Sequence, residues 1–394
     1  MESLLKLPRF VTNDKIDNLY DSMEAIGIDV LFITDSEDHR EVNMRYLTGH
    51  PEDASLFVDI KNRQTILVPW DFQLAQKYAE VNQIVDVAEY NGSVIAASAE
   101  VIKSIISSNS KIGVLRSIPY YFLKTIVDQI TEPEIIYDPM NIDNKLDELR
   151  ATKSLDEISK FQKSFHISNQ LVDEIENNLM NKWDRSSFRE IDLAIFVESR
   201  MRELGAMGVG FETLVASSAR SWQIHTYPRA HPELPLYRNG LALIDFGVEG
   251  DWLRSDVTIP FVMGTKTDKM KKITEVVEEA HYSAIDALKE LTYLHEVADV
   301  AVNIIEHAGF SMPHALGHGI GLTVHDSPGI RKKPVHEALL ASWKEIYIEE
   351  GMVLTIEPGI YEQDVGGFRL ENDIIITSKG PEVVTNSRTI VIDS

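Results

Sequence analysis

The chain of 394 residues contains no cysteine. That excludes disulfides, a thiolate nucleophile and any sulfur ligand, so a bound metal would have to be held by oxygen and imidazole donors. No apolar run approaches the length of about 18 residues that a membrane-spanning helix needs. Basic residues are scarce, 38 Lys and Arg against 62 Asp and Glu, and the resulting net charge of −24 opposes binding to nucleic acid, itself a polyanion. The opening "MESLLKLPRFVTNDK" has an acid at position 2 and only a short apolar run, a poor signal peptide, so a cytosolic protein is expected. What is present is ordinary for a globular protein: 44% hydrophobic and 25% charged residues. The length exceeds what one core usually supports, so two domains are expected.

The first 140 or so residues alternate helical and strand patterns. "NDKIDNLYDSMEAIG" reads as an amphipathic helix, "IDVLFIT" as a buried strand, and "SLFVDI" and "QTILVPW" as strands around the turn-like "KNR". Helices from Asp71 and over 94–106, the strands "KIGVL" and "EIIYD", and another helix between those strands complete an α/β domain over 1–150. Ser154 and Glu157 form a Ser-x-x-Glu capping pattern that opens a long helix, and Ser187 with Glu190 repeats it. Glu190 is accordingly read as a helix cap rather than a catalytic base. In the domain 151–394, helices over about 268–290 and 294–308 are expected, the second stopped by Gly309. "LALIDFGV" and "VTIPFVMG" read as a strand pair around "EGDWLRS". "MVLTIEPGIY", "FRLENDIIIT" and "TIVID" read as further strands of one antiparallel sheet under helices, an α+β design.

Four acids sit inside apolar strand patterns: Asp245 in "LALIDFG", Asp256 in "SDVTIPF", Glu357 in "MVLTIEPG" and Glu371 in "FRLEND". One such carboxylate can be a strand end facing water. Four of them, together with the glycine-flanked His318 of "HALGHGIGLTVHDSPG", are better explained by a metal, because a lone buried carboxylate is strongly penalised. Oxygen donors with one imidazole suit Mn²⁺, Co²⁺, Fe²⁺ or Zn²⁺. Two such ions would balance four carboxylates and activate water, so the residues alone point to a two-metal hydrolase.

The order and spacing of these residues resemble the pita-bread metallopeptidases, in the prolidase and aminopeptidase P branch. The pattern is an Asp, a second Asp eleven residues later, a Gly-His-Gly-x-Gly histidine, a Glu in "EPG" and a Glu in "R-x-E". "NMRYLTGH" and "LDELRATKSLDEI" are similar to that branch's creatinase-type amino-terminal domain and linker. The resemblance implies a smaller α/β domain preceding a pita-bread catalytic domain, and a hydrolase that uses two divalent ions, manganese first, to cut Xaa-Pro bonds of dipeptides or short peptides. It implies that Asp245 binds one ion, that His318 and Glu357 bind the other, and that Asp256 and Glu371 bridge. The flanking glycines would let the backbone pass close to the ions. His325 would stabilise the oxyanion, Glu357 would move the proton, and His225 would serve the substrate pocket or shuttle protons. His314 and Arg369 would line that pocket. A homodimer is implied as well.

This chain departs from the family where "SDITRTF" becomes "SDVTIPF" and where "SG-x-N" becomes "SSAR", with Ser218 and Arg220 replacing glycine and asparagine. The departures leave strict proline specificity open. The alternatives are a metal-dependent C–N hydrolase or lyase of the same fold acting on a small metabolite, and a non-catalytic binding module. His281, His295 and His307 are read as helix-surface residues, and His231, without motif support, takes the same reading. Asp326 and Asp373 are read either as partners behind the ligands or as turn and strand-end residues.

Overall fold

The computed structural model describes residues 9–107, 109–130, 133–181, 183–340 and 342–393. Of the stretch read as a poor signal peptide, 1–8 lie outside the described residues. The chain divides into two compact units, Met1–Arg150 and Ala151–Ser394. Among the described residues no helix is long and apolar enough to cross a membrane.

The first unit is built on strands β1 (Val30–Asp35), β2 (Ala54–Asp59), β3 (Gln64–Pro69), β4 (Gln83–Ile84), β5 (Lys111–Val114) and β6 (Glu134–Tyr137), in the order β4-β3-β2-β1-β5-β6. The β1–β2–β3 pairings are antiparallel, while β5 and β6 join in parallel after helical connections. Phe32 stacks on Phe57 with ring centroids 4.8 Å apart. Helix Val94–Ile105, capped by Ser93 accepting from the Ala96 amide, buries Ala97, Val101 and Ile102.

The second unit opens with helix Leu155–Asn181. Its capping box forms reciprocally: Ser154 N donates to Glu157 Oε2 at 2.8 Å, and Glu157 N donates to Ser154 Oγ at 3.2 Å. Helix Glu190–Glu203 does not repeat that arrangement. Ser187 Oγ turns to Asp184, the Arg189 amide bonds the Asp192 carboxylate, and the Glu190 side chain is buried away from the helix end. The reading of Glu190 as a cap is therefore wrong: its carboxylate finds donors on a distant segment instead.

Strands β7 (Gly208–Val209) and β10 (Val248–Glu249) form a short pair. The main strands are β8 (Leu214–Ala216), β9 (Gly240–Phe246), β11 (Val257–Met263), β12 (Gly317–Gly319), β13 (Asp326–Ile330), β14 (Val353–Ile356), β15 (Gly359–Glu362), β16 (Gly366–Arg369), β17 (Asn372–Thr377), β18 (Gly380–Val383) and β19 (Ile390–Ile392). They make two sheets, not the single antiparallel sheet expected. One runs β15-β16-β9-β11-β19 with β8 also on β9, and the other β13-β12-β14-β17-β18. The first is mixed, since β16–β9 and β11–β19 are parallel. "MVLTIEPGIY" and "FRLENDIIIT" each break into two strands, one per sheet, at Glu357-Pro358 and at Leu370-Glu371. Proline at 358 has no amide to donate to a ladder, which suits a chain leaving one sheet for another.

Strand periodicity sorts the side chains. Ala242, Ile244 and Phe246 of β9 and Val257, Ile259 and Phe261 of β11 pack against helices Leu155–Asn181 and Glu190–Glu203. The alternate positions Asp245 and Thr258, which are register partners, fall on the opposite face. Helices Asp268–Ala287 and Leu294–His307 pack in a second core with Leu316, Leu354, Ile356, Phe368 and Ile374. His281 lies in that core at 1% exposure, contrary to its surface reading. His295 is also tucked in, its Nδ1 2.9 Å from Glu345 and its ring edge-on to Trp343, whereas His307 is exposed as expected.

Candidate metal centre

A cavity of about 270 Å³ in the second unit is lined by Asp245, Asp256, His318, Glu357 and Glu371 together with His225, His314, His325 and Arg369. All nine residues singled out from the sequence thus reach one space. They arrive from β9, the residue before β11, β12 and the loop before it, the residue before β13, the end of β16, the two breaks between sheets and the segment after β8. Phe211, Leu214, Ile224 and Val324 supply an apolar part of the wall.

His318 is presented by a hairpin of β12 and β13 whose register shifts between His318 and Gly319. A Cβ on Gly317 would lie 2.0 Å from the Thr355 carbonyl oxygen, and one on Gly319 would lie 2.1 Å from that of Ser327. The glycines are needed so that neighbouring backbone can approach. His318 Nδ1 is 3.0 Å from the Gly319 carbonyl oxygen, which can only accept, so Nδ1 carries the proton and Nε2 offers a lone pair. That Nε2 faces Glu357 Oε1 at 3.4 Å and Asp256 Oδ2 at 3.6 Å. Burial pushes His318 down to about 4, which keeps the imidazole neutral at physiological pH.

Ligand atoms of Asp256, His318 and Glu371 lie within 4.8 Å of one another. Burial, then Glu371 and Asp245, push Asp256 well above the usual carboxylate range. Burial, then Glu357 and Asp245, do the same to Glu371. Glu357 is pushed up to about 8 by burial, against the pull of Arg369 and with further push from Asp245. Such a crowd of acids repels itself unless cations enter, and bound cations would reverse these shifts. Asp245 is committed differently. Its Oδ2 accepts from Arg369 Nη2 at 2.6 Å, while its Oδ1 is buried without a partner. An unpaired buried carboxylate oxygen and a bare imidazole nitrogen beside clustered carboxylates are the donor set that a divalent ion fits.

Supporting groups that sequence reasoning passed over surround this cluster. Thr258 Oγ1 donates to Glu371 Oε2 at 2.6 Å and accepts from Arg369 Nε at 2.9 Å. Its signal was strand parity, two residues beyond Asp256. Tyr361 takes Arg369 Nη1 on its oxygen at 3.0 Å and stands 2.9 Å from His314 Nε2. His314 Nδ1 is bound to the Ala315 carbonyl at 2.7 Å, so Nε2 is the acceptor and Tyr361 the donor. Burial would discharge Arg369, but Tyr361, Asp245, Glu371 and Glu357 outweigh it and keep the guanidinium charged. Asp373, fully buried, accepts the Asp256 amide at 3.1 and 3.3 Å, so of its two readings the partner role fits.

The remaining histidines lie at the edge. His325 is exposed, with its ring centroid 4.6 Å from that of His318 in an edge-on contact. His225 is exposed as well, though partial desolvation of its ring, followed by the nearby Arg369, lowers its affinity for a proton. His231, contrary to its helix-surface reading, lies outside any helix, and its Nδ1 accepts the amides of Glu233 and Leu234.

Residues 159–378 match metallopeptidase family M24, and residues 15–152 match the creatinase/prolidase N-terminal domain. The chain is 28% identical over 387 residues to an Xaa-Pro dipeptidase of Pyrococcus horikoshii, covering 97% of this chain and 99% of that one. Among solved structures, the prolidase from Pyrococcus horikoshii OT3 superposes with a TM-score of 0.77 at 26% identity, covering 96% of this chain and 99% of that one. An Xaa-Pro dipeptidase from Bacillus anthracis reaches 0.80 at 27% identity, with 97% and 99% covered.

Proposed function

The chain belongs to metallopeptidase family M24, and from that premise we propose that it hydrolyses Xaa-Pro bonds in dipeptides or short peptides with two divalent cations. The observation that carries this is the cluster of Asp256, His318 and Glu371, whose ligand atoms lie within 4.8 Å of one another beside a bare imidazole nitrogen. Asp245, Asp256, His318, Glu357 and Glu371 would hold the cations. These ions supply Lewis acidity toward the scissile carbonyl and toward the attacking water.

The protein's own groups do the rest. Glu357 takes a proton from the attacking water and returns it to the leaving nitrogen. His325, on the rim beside His318, donates to the carbonyl oxygen as charge develops there. His225, which lines the same cavity, orients the substrate. Arg369, charged and anchored by Asp245, Thr258 and Tyr361, keeps the wall rigid, and Tyr361 passes that order on to His314. Thr258 and Asp373 hold Glu371 and the Asp256 backbone in place. The cavity of about 270 Å³ suits a small ligand, and Phe211, Leu214, Ile224 and Val324 offer an apolar surface for a proline ring. Proline lacks an amide N–H, so recognition must rest on shape and on the carbonyl.

The same proposal takes manganese as the working metal, a homodimer as the assembly and the cytosol as the setting. The oxygen-rich, cysteine-free donor set and the kinship with prolidases support it. The test is metal analysis of purified protein, with turnover of a panel of Xaa-Pro and Xaa-Ala dipeptides and longer Xaa-Pro peptides, with and without chelator. Proline-dependent cleavage that chelator abolishes and divalent metal restores is expected. Bound metal without any Xaa-Pro cleavage would overturn it.

A further inference from the structure

The segment 217–231 brings His225 to the cavity, yet it is irregular backbone apart from a single bridge at Ala230. One carboxylate ties its two ends together. Glu190, the first residue of helix Glu190–Glu203, has 0% exposure. It accepts the Ser217 amide at 2.8 Å, the His231 amide at 2.9 Å and Arg220 Nη1 at 3.0 Å. Both ends of the segment are therefore closed on the same side chain. Arg220, 8% exposed, spans the interior: its Nη2 donates to the Pro228 carbonyl, so it braces the two limbs on either side of His225. The base is also pinned, because Ser221 Oγ donates to the Leu241 carbonyl at 2.6 Å and accepts the Gly367 amide at 2.9 Å. A Cβ on Gly367 would lie 2.0 Å from the Ser221 carbonyl oxygen, so the segment rests directly on β16, the strand that carries Arg369.

A buried ion pair is a poor source of net stability, since desolvating both charges offsets their attraction. What it supplies is geometry: a carboxylate with three donors in fixed directions has one satisfactory arrangement. We infer that the Glu190–Arg220 pair is a positioning device for His225, setting where the imidazole meets the substrate. The inference rests on the peptidase reading for its kinetic consequence. Its structural consequence does not depend on that reading.

The test compares wild type with Glu190→Gln/Arg220→Met, which removes both charges together and leaves no unpaired buried ion, with Arg220→Lys, with His225→Ala, and with the triple variant. In the metal-free proteins, amide exchange across 217–231 should quicken by about tenfold or more in the pair variant, while β12 and β14 remain protected. In the metal-loaded proteins, kcat/KM for an Xaa-Pro dipeptide should fall by about tenfold or more at unchanged metal content, with Arg220→Lys recovering part of it. The triple variant should be no slower than His225→Ala within about twofold, because a device that acts through His225 has nothing left to position. Unchanged exchange in the pair variant, or losses that multiply in the triple variant, would overturn the inference. If wild type cleaves no peptide, the functional reading fails and the exchange measurement alone decides. If the pair variant does not fold, Arg220→Lys carries the same comparisons.

Discussion

His318, partly buried, and His281, fully buried, are histidines of the second unit, and burial pushes each down to about 4. Their surroundings differ completely. His318 has one nitrogen donating to a backbone carbonyl and the other facing two carboxylates. His281 has neither nitrogen partnered, and sits in the apolar core under helix Asp268–Ala287 with only Tyr282 edge-on. The first lies in a polar interior between two sheets, where carboxylates, imidazoles and a guanidinium face one another. The second lies in a hydrocarbon interior, where the ring is filling space. A buried ionisable group therefore marks a site only when the directions of its polar atoms converge with those of others.

Substitutions in the two interiors should separate them. His318→Ala should lower turnover of an Xaa-Pro dipeptide by about a thousandfold or more, with loss of bound metal by elemental analysis, since a ligand is removed from a Lewis-acid site. Retained metal with near-normal turnover would place His318 with His281. Thr258→Val keeps the shape but removes the hydroxyl that links Glu371 to Arg369. A fall of about ten- to a hundredfold in activity or metal affinity is expected from the loss of such a supporting group, read by steady-state kinetics and metal titration. Asp373→Asn keeps an acceptor for the Asp256 amide and should cost less, about three- to tenfold in the same assays.

His281→Leu should leave kcat/KM within about twofold. Its effect is on stability against pH. The folded imidazole is held at about 4 instead of its ordinary 6.5, so the unfolded chain binds the proton first. Stability is thus fully present above 6.5 and declines as pH falls toward 4, by up to about 3 kcal/mol for this group. Denaturant unfolding at a series of pH values should show a shallower decline over that window in the variant. An identical slope would mean that His281 is not buried neutral.

How much of this could be read along the chain depends on how far apart the interacting atoms lie in sequence. The Ser154–Glu157 capping box and the β9–β11 pair were readable, because short-range hydrogen bonds and a period-two pattern specify them. The division of "MVLTIEPGIY" and "FRLENDIIIT" between two sheets was not, since a run of β-branched residues does not say which partner each half will find. Glu190 was misread for the same reason: Ser-x-x-Glu is a local signal, and its carboxylate was drawn away by donors 27, 30 and 41 residues distant. His281 was misread because one polar residue on an apolar helix face looks like the edge of that face.

The order of residues was enough to single out four acids misplaced in apolar strands and a histidine between glycines, because an ionisable group in a buried pattern is costly wherever the chain goes. Tertiary structure alone decided which atoms face one another. Asp245 meets Arg369 from 124 residues away and Thr258 meets Glu371 from 113, and the brace on His225 spans a helix and a loop. Pattern fixes which side chains leave water. Only packing fixes the angstrom-scale distances on which hydrogen bonding, ligation and proton transfer depend.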